Sequence, residues 1–207
     1  MGESVRKPAA VLFDLDGVIV DTFDVWEAVL EQCRAVRGLA PLGRQRIREC
    51  WGQGIVADCE TLFPGTDPRR LAGEYERAFS QHLPAVRTIC GAPEAIRTAR
   101  RAGARLAVVT NSPAGLARDV LSSVGLIELF DAICGGDEVP RGKPDPALVR
   151  LALARLSIAP SEALMIGDSP LDVEAARQAG VLAIGYRVDG DLRLEQLDQL
   201  EDLVHLT

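Results

Sequence analysis

The sequence predicts an α/β fold, a doubly wound parallel sheet with an inserted α-helical cap. Three observations predict it. Short apolar runs recur along the chain, helical patterns separate them, and the long stretch from Thr22 to Pro84 holds no convincing strand. Strands alternating with single helices favour a parallel sheet, because each crossover helix returns the chain to the same edge.

The first run is Ala9-Ala10-Val11-Leu12-Phe13, which ends at Asp14 and reads as a strand buried on both faces. The stretch from Thr22 to Pro84 follows it. Trp26, Val29, Leu30, Cys33 and Val36 keep helical spacing, as do Ile55, Val56, Cys59, Leu62 and Phe63, and then Leu71, Tyr75, Ala78 and Phe79. Breaks fall near Gly38–Pro41, Gly52–Gly54 and Pro64–Pro68. The expected division is therefore a core of 1–21 and 85–207, with residues 22–84 as a helical cap able to hinge as a lid.

A helix is expected from about Pro93 to Ala102, then a strand over Arg105–Thr110. Further helices begin at Ser112-Pro113, Asp145-Pro146 and Ser169-Pro170, each with a capping side chain before a proline. Ala163–Gly167 and Val181–Gly185 read as strands, and Phe130–Cys134 as a weaker one. Leucines at 192, 194, 197, 200 and 203 suggest an amphipathic closing helix.

The composition is that of an ordinary globular chain, 47% hydrophobic and 26% charged over 207 residues. The net charge of -7, with no basic stripe, argues against a nucleic-acid partner. The short polar start, followed by an apolar run that Asp14 and Asp16 interrupt, argues against a signal peptide or a membrane span. Five cysteines without CxxC spacing, each in an apolar segment, read as buried reduced thiols and a cytoplasmic setting. His82 and His205 stand outside every motif and read as ordinary solvated or core histidines.

Chemistry is expected where strands end, since ligands of open α/β sheets bind at the carboxyl edge. Asp14 and Asp16 follow the first strand. Taken alone, such a pair has a plain reading, one residue capping a turn before Gly17 and the other solvated. Several carboxylates gathered at one edge would instead repel each other without a cation.

The wider context decides between them. Val11-Leu12-Phe13-Asp14-Leu15-Asp16-Gly17-Val18-Ile19-Val20-Asp21-Thr22 resembles the opening signature of the haloacid dehalogenase superfamily. Val108-Val109-Thr110-Asn111-Ser112 resembles its second motif, Gly142-Lys143-Pro144-Asp145-Pro146 its third, and Gly167-Asp168-Ser169-Pro170-Leu171-Asp172 its fourth. The four occur in the family's order.

The resemblance implies an Mg²⁺-dependent phosphatase with Asp14 as nucleophile and Asp16 as acid/base. It implies that Lys143 balances charge and that Thr110 binds a phosphoryl oxygen. The implied metal ligands are Asp14, the backbone carbonyl of Asp16, and Asp168. Asn111 and Ser112 lie at a helix start that favours anions, although Ser112 has a rival reading as the helix cap. Asp172 reads either as half of a capping box with Ser169 or as a residue just outside the metal ligands.

Asp16 argues against the superfamily's dehalogenases, which lack this second aspartate. The absence of lysine between Thr22 and Pro84 argues against its phosphonate-cleaving members. A sugar phosphomutase keeps all four motifs and stands as the alternative enzyme, and a non-catalytic binding protein as the alternative of another class. The helical insert resembles the cap of phosphoglycolate-phosphatase-like members. Arg48, Trp51 and Gln53 are then candidate substrate contacts, with Arg48 facing an anionic tail. Their rival readings are a solvated helix face for Arg48 and core packing for Trp51. The expected partner is a small phosphorylated metabolite, phosphoglycolate-like or a sugar phosphate, and the chain is expected to be a monomer or homodimer.

Overall fold

The computed structural model describes residues 7–204. The first apolar run forms strand β1 (Ala10–Phe13), buried throughout. Val11 and Phe13 enter one apolar cluster, Ala10 and Leu12 another. A strand covered on both faces must be apolar at every position, so this run does not alternate with polar residues.

After β1 the chain makes a short strand β2 (Val20–Asp21), then the insert: α1 (Phe23–Ala35), α2 (Arg44–Glu49), α3 (Ile55–Thr61) and α4 (Pro68–Ser80). It returns along β3 (Arg87–Thr88), which pairs antiparallel with β2. This two-stranded ribbon leaves no mark in the sequence, because two residues are too few to show a period. The insert's helices break where glycine and proline cluster. Asp67 caps α4, its carboxylate accepting from the Arg69 and Arg70 amides at 2.9 and 3.1 Å.

The rest alternates as expected: α5 (Ala92–Arg101), β4 (Arg105–Val109), α6 (Ala114–Ser123), β5 (Ala132–Cys134), α7 (Ala147–Leu156), β6 (Ala163–Gly167), α8 (Pro170–Ala179) and β7 (Leu182–Tyr186). With β8 at Leu192–Leu194, the sheet order is β5-β4-β1-β6-β7-β8, every pair parallel. From β1 the chain builds outward through β4 and β5, then crosses to β6 on the other side. The switch point is therefore β1, flanked by β4 and β6, the place where such sheets bind ligands.

Two expectations about helices need correction. Leu192–Leu194 is not helical but forms β8, an edge strand beside β7, and a helix α9 occupies only Leu200–Val204. The 192/194 spacing is two, the period of a strand. Ser112 does not cap α6. Asp137 does so from a distant loop, accepting from the Ala114 amide at 2.8 Å. At α8 the capping box forms as expected between Ser169 and Asp172, and Gly180 closes the helix in the left-handed region.

One face of the sheet is covered by α7 and α8, the other by α5, α6 and α9. The second face is continuous with the insert's own apolar interior, including Leu30, Ile47, Phe63, Leu71 and Phe79. All five cysteines are free. Cys33, Cys59 and Cys134 are buried as expected, Cys50 is half-buried, and Cys90 is exposed against expectation. His82 is half-buried, and His205 lies outside the described residues. Among the described residues no helix is long and apolar enough to cross a membrane.

Candidate active site

The site assembles at the switch point. Asp14 leaves β1, Thr110 leaves β4 and Asp168 leaves β6, while Lys143 lies beyond β5. The turn after Asp16 requires glycine. Gly17 has φ of 89°, and a Cβ there would stand 1.9 Å from Asp168 Oδ2. Asp168 can approach the Asp14–Asp16 turn only because this position has no side chain.

Lys143 is buried and fully engaged. Its Nζ donates to Asp14 Oδ1 at 2.7 Å, Asp172 Oδ1 at 2.5 Å and the Val109 carbonyl at 3.0 Å. Burial alone would lower its pKa, but the Asp14 and Asp172 carboxylates outweigh burial and raise it. Lys143 is thus a fixed positive charge. Asp14 Oδ1 also accepts from the Leu15 amide at 2.7 Å. Asp14 Oδ2 takes no such bond among the described residues, and no fully buried side-chain oxygen there lacks a partner. The free oxygen therefore keeps accessible surface.

Asp16 is held from two directions. Oδ1 accepts from the Thr22 hydroxyl at 2.5 Å and from the Trp26 indole at 3.1 Å, and Oδ2 accepts from the Ser112 hydroxyl at 2.9 Å. Thr22 and Trp26 lie where the insert begins, Ser112 just before α6. Three donors from two segments leave the carboxylate little freedom to rotate.

Asp14, Asp168 and Asp172 each place a carboxylate oxygen within 4.8 Å of the others. Burial, then Asp172, raises the pKa of both Asp14 and Asp168, with Lys143 opposing; Asp168 reaches about 7. One ammonium therefore leaves this negative charge under-compensated. The donors are all hard oxygens, the set that suits a hard divalent cation. The residues present fit such an ion.

Residues 11–186 match the family of haloacid dehalogenase-like hydrolases. An N-acetylmuramic acid 6-phosphate phosphatase from Pseudomonas aeruginosa is 34% identical over 86% of this chain and 81% of its own length. A phosphoglycolate phosphatase from Cereibacter sphaeroides is 37% identical over 86% of each chain. This chain belongs to the haloacid dehalogenase-like hydrolases. Within that family it is a phosphatase. CbbY from Rhodobacter sphaeroides, solved in complex with phosphate, shares the fold with a TM-score of 0.81 at 24% identity, covering 93% of this chain and 96% of that one.

In this haloacid dehalogenase-like phosphatase, a cavity of about 80 Å³ lies between the sheet edge and the insert. Asp14, Asp16, Thr110, Ser112 and Lys143 face it from the sheet side, and Trp51 and Gln53 from the insert. Thr110 Oγ1 accepts from the Ser112 amide at 3.0 Å. Asn111 also lines the cavity, but its amide is engaged as a clamp. It donates to the Gly52 carbonyl at 2.8 Å and the Lys143 carbonyl at 3.0 Å, and accepts from the Lys143 amide at 2.7 Å. It thereby ties the insert to the lysine loop.

Trp51 packs on Phe23 with ring centroids 5.1 Å apart, and its indole is a small influence that restrains the rise of the Asp168 pKa. It serves both packing and the site. Arg48 does not line the cavity. It is exposed, with its guanidinium 5.3 Å from the centre of the Phe23 ring. Nothing in the sequence singles out Thr22, Trp26 or Asp58 as site residues. Each looks like an ordinary member of a helix or turn until the insert folds over the sheet edge.

Proposed function

We infer that this phosphatase is an Mg²⁺-dependent phosphomonoester hydrolase acting on a small phosphorylated metabolite through an aspartyl-phosphate. The observation that carries the reading is the asymmetry of Asp14. One oxygen is held by Lys143 and the Leu15 amide, the other takes no hydrogen bond, and Asp14 lines the cavity. A carboxylate so oriented is an in-line nucleophile.

In this reading Asp14 Oδ2 attacks phosphorus, and the bond from phosphorus to the leaving oxygen breaks. Asp16 gives its proton to that oxygen, releasing an alcohol. The Asp16 carboxylate then takes a proton from water, whose oxygen attacks phosphorus and frees Asp14 and inorganic phosphate. Thr110 and Lys143 face the phosphoryl oxygens. Asp14, Asp168 and the Asp16 carbonyl would hold Mg²⁺, which supplies electrostatic stabilisation of the charged phosphoryl group. Ser112, Thr22 and Trp26 orient Asp16, and Asp172 orients Lys143.

The small cavity supports a small ester, well below the ~300 Å³ that drug-sized ligands occupy. Phosphoglycolate-like and sugar phosphates are both of that size class. Asp14→Asn should abolish Mg²⁺-dependent phosphate release from any small phosphomonoester, measured by colorimetric phosphate detection. Surviving release would remove Asp14 as nucleophile.

A further inference from the structure

Part of the cavity wall takes no part in that chemistry. Asp58, on α3, is buried and faces the same cavity as Asp14 and Asp16. Its Oδ1 accepts from Gln53 Nε2 at 2.6 Å and its Oδ2 from the Tyr75 hydroxyl at 2.8 Å. Both donors are neutral, and among the described residues no cation pairs with this carboxylate. An ionised carboxylate has about four acceptor positions, so these two bonds leave capacity toward the cavity. A peg between α3 and α4 would need no charge; a neutral amide would be easier to bury.

Two further observations concern what the cavity can receive. Among the described residues lining it, Lys143 is the one cation, and its Nζ is already bound to Asp14, Asp172 and the Val109 carbonyl. Arg48 is not part of the lining. A carboxylate on the substrate's leaving group would meet Asp58 and find no counter-charge. Trp26, Trp51 and Tyr75 also line the space and make part of its wall aromatic.

We propose that Asp58 is a specificity-determining residue that accepts hydroxyl groups of an uncharged polyol or sugar leaving group and disfavours phosphomonoesters whose leaving group carries a carboxylate. The proposal rests on the phosphomonoesterase reading above. Like charges a few ångströms apart in a partly desolvated cavity repel strongly enough for a discrimination of ~10-fold or more.

Matched esters test it. 2-Hydroxyethyl phosphate and phosphoglycolate differ only in CH₂OH against carboxylate, as do glycerol 3-phosphate and 3-phosphoglycerate. The wild-type enzyme with Mg²⁺ at pH 7.5 is expected to favour the neutral member of each pair at least ~10-fold in kcat/KM. Asp58→Asn should shrink that ratio about tenfold, and Asp58→Glu should retain it. Equal or reversed preference in the wild type overturns the proposal while leaving the phosphatase reading intact. A ratio unmoved in folded Asp58→Asn removes Asp58 as its source. If that variant does not fold, the wild-type ratio decides alone. No release from any of the four, or from p-nitrophenyl phosphate, defeats the underlying reading and this proposal with it.

Discussion

At the scale of single residues, the site is built from carboxylates that are costly to bury, and Asp58 shows the cost most cleanly. Burial pushes its pKa from the ordinary 3.8 to about 6, although the Gln53 and Tyr75 hydrogen bonds pull the other way. The folded protein therefore holds the Asp58 proton more tightly than the unfolded chain does. The associated stability is fully present below about pH 4 and is lost as pH rises through about 6, worth ~3 kcal/mol across that window. Relative to wild type, Asp58→Asn should gain stability between pH 4 and pH 8, measured by urea denaturation at several pH values. A gap that stays flat with pH would show that burial does not govern this group. Asp16 is met by three donors, which fix the orientation of its carboxylate.

At the scale of elements, most helix boundaries are set locally. Asp67 satisfies two otherwise unpaired amides of α4, so Asp67→Ala should cost ~1 kcal/mol, a fall in Tm of roughly 2–4 °C. Its remoteness from the cavity predicts unchanged phosphatase activity in the same sample, followed by thermal denaturation alongside a phosphate-release assay. Such caps are readable because they involve neighbours in sequence, and Ser169 with Asp172 was legible for that reason. Asp137 was not, since it caps α6 from a loop beyond β5. The Leu192–Leu194 strand was also misread, because five leucines suggest a helix until β7 offers an edge to pair with.

At the scale of the molecule, the sheet edge concentrates more negative charge than one lysine balances. A divalent cation that binds only the folded state should stabilise it by ~2.7 kcal/mol at a hundredfold excess over its Kd. Mg²⁺ should accordingly raise Tm, EDTA should reverse the rise, and Asp168→Asn should remove the response, all by thermal denaturation without substrate. An unchanged Tm in saturating Mg²⁺ would argue against the cluster as the metal site. The same scale explains the insert's position. Its apolar interior continues into one face of the sheet, where each buried large side chain contributes ~1.5–3 kcal/mol, and Asn111 pins Gly52 to the Lys143 loop.

The sequence by itself determined the α/β architecture, its helical insert and the four motifs that identify the family. Those signals are local: an apolar strand, a capped helix, or a run of a few residues whose chemistry survives without knowledge of the fold. Only the tertiary structure decided which groups surround the Asp14 and Asp16 carboxylates. Trp26 and Ser112 meet at Asp16 across a separation in sequence that no spacing reveals. Arg48 turns away to stack on Phe23, while Asp58 turns inward beside Tyr75. The charge that a substrate's leaving group encounters depends on how the insert packs over the sheet. That packing is a sum of many weak contacts between distant segments, which a linear reading cannot add up.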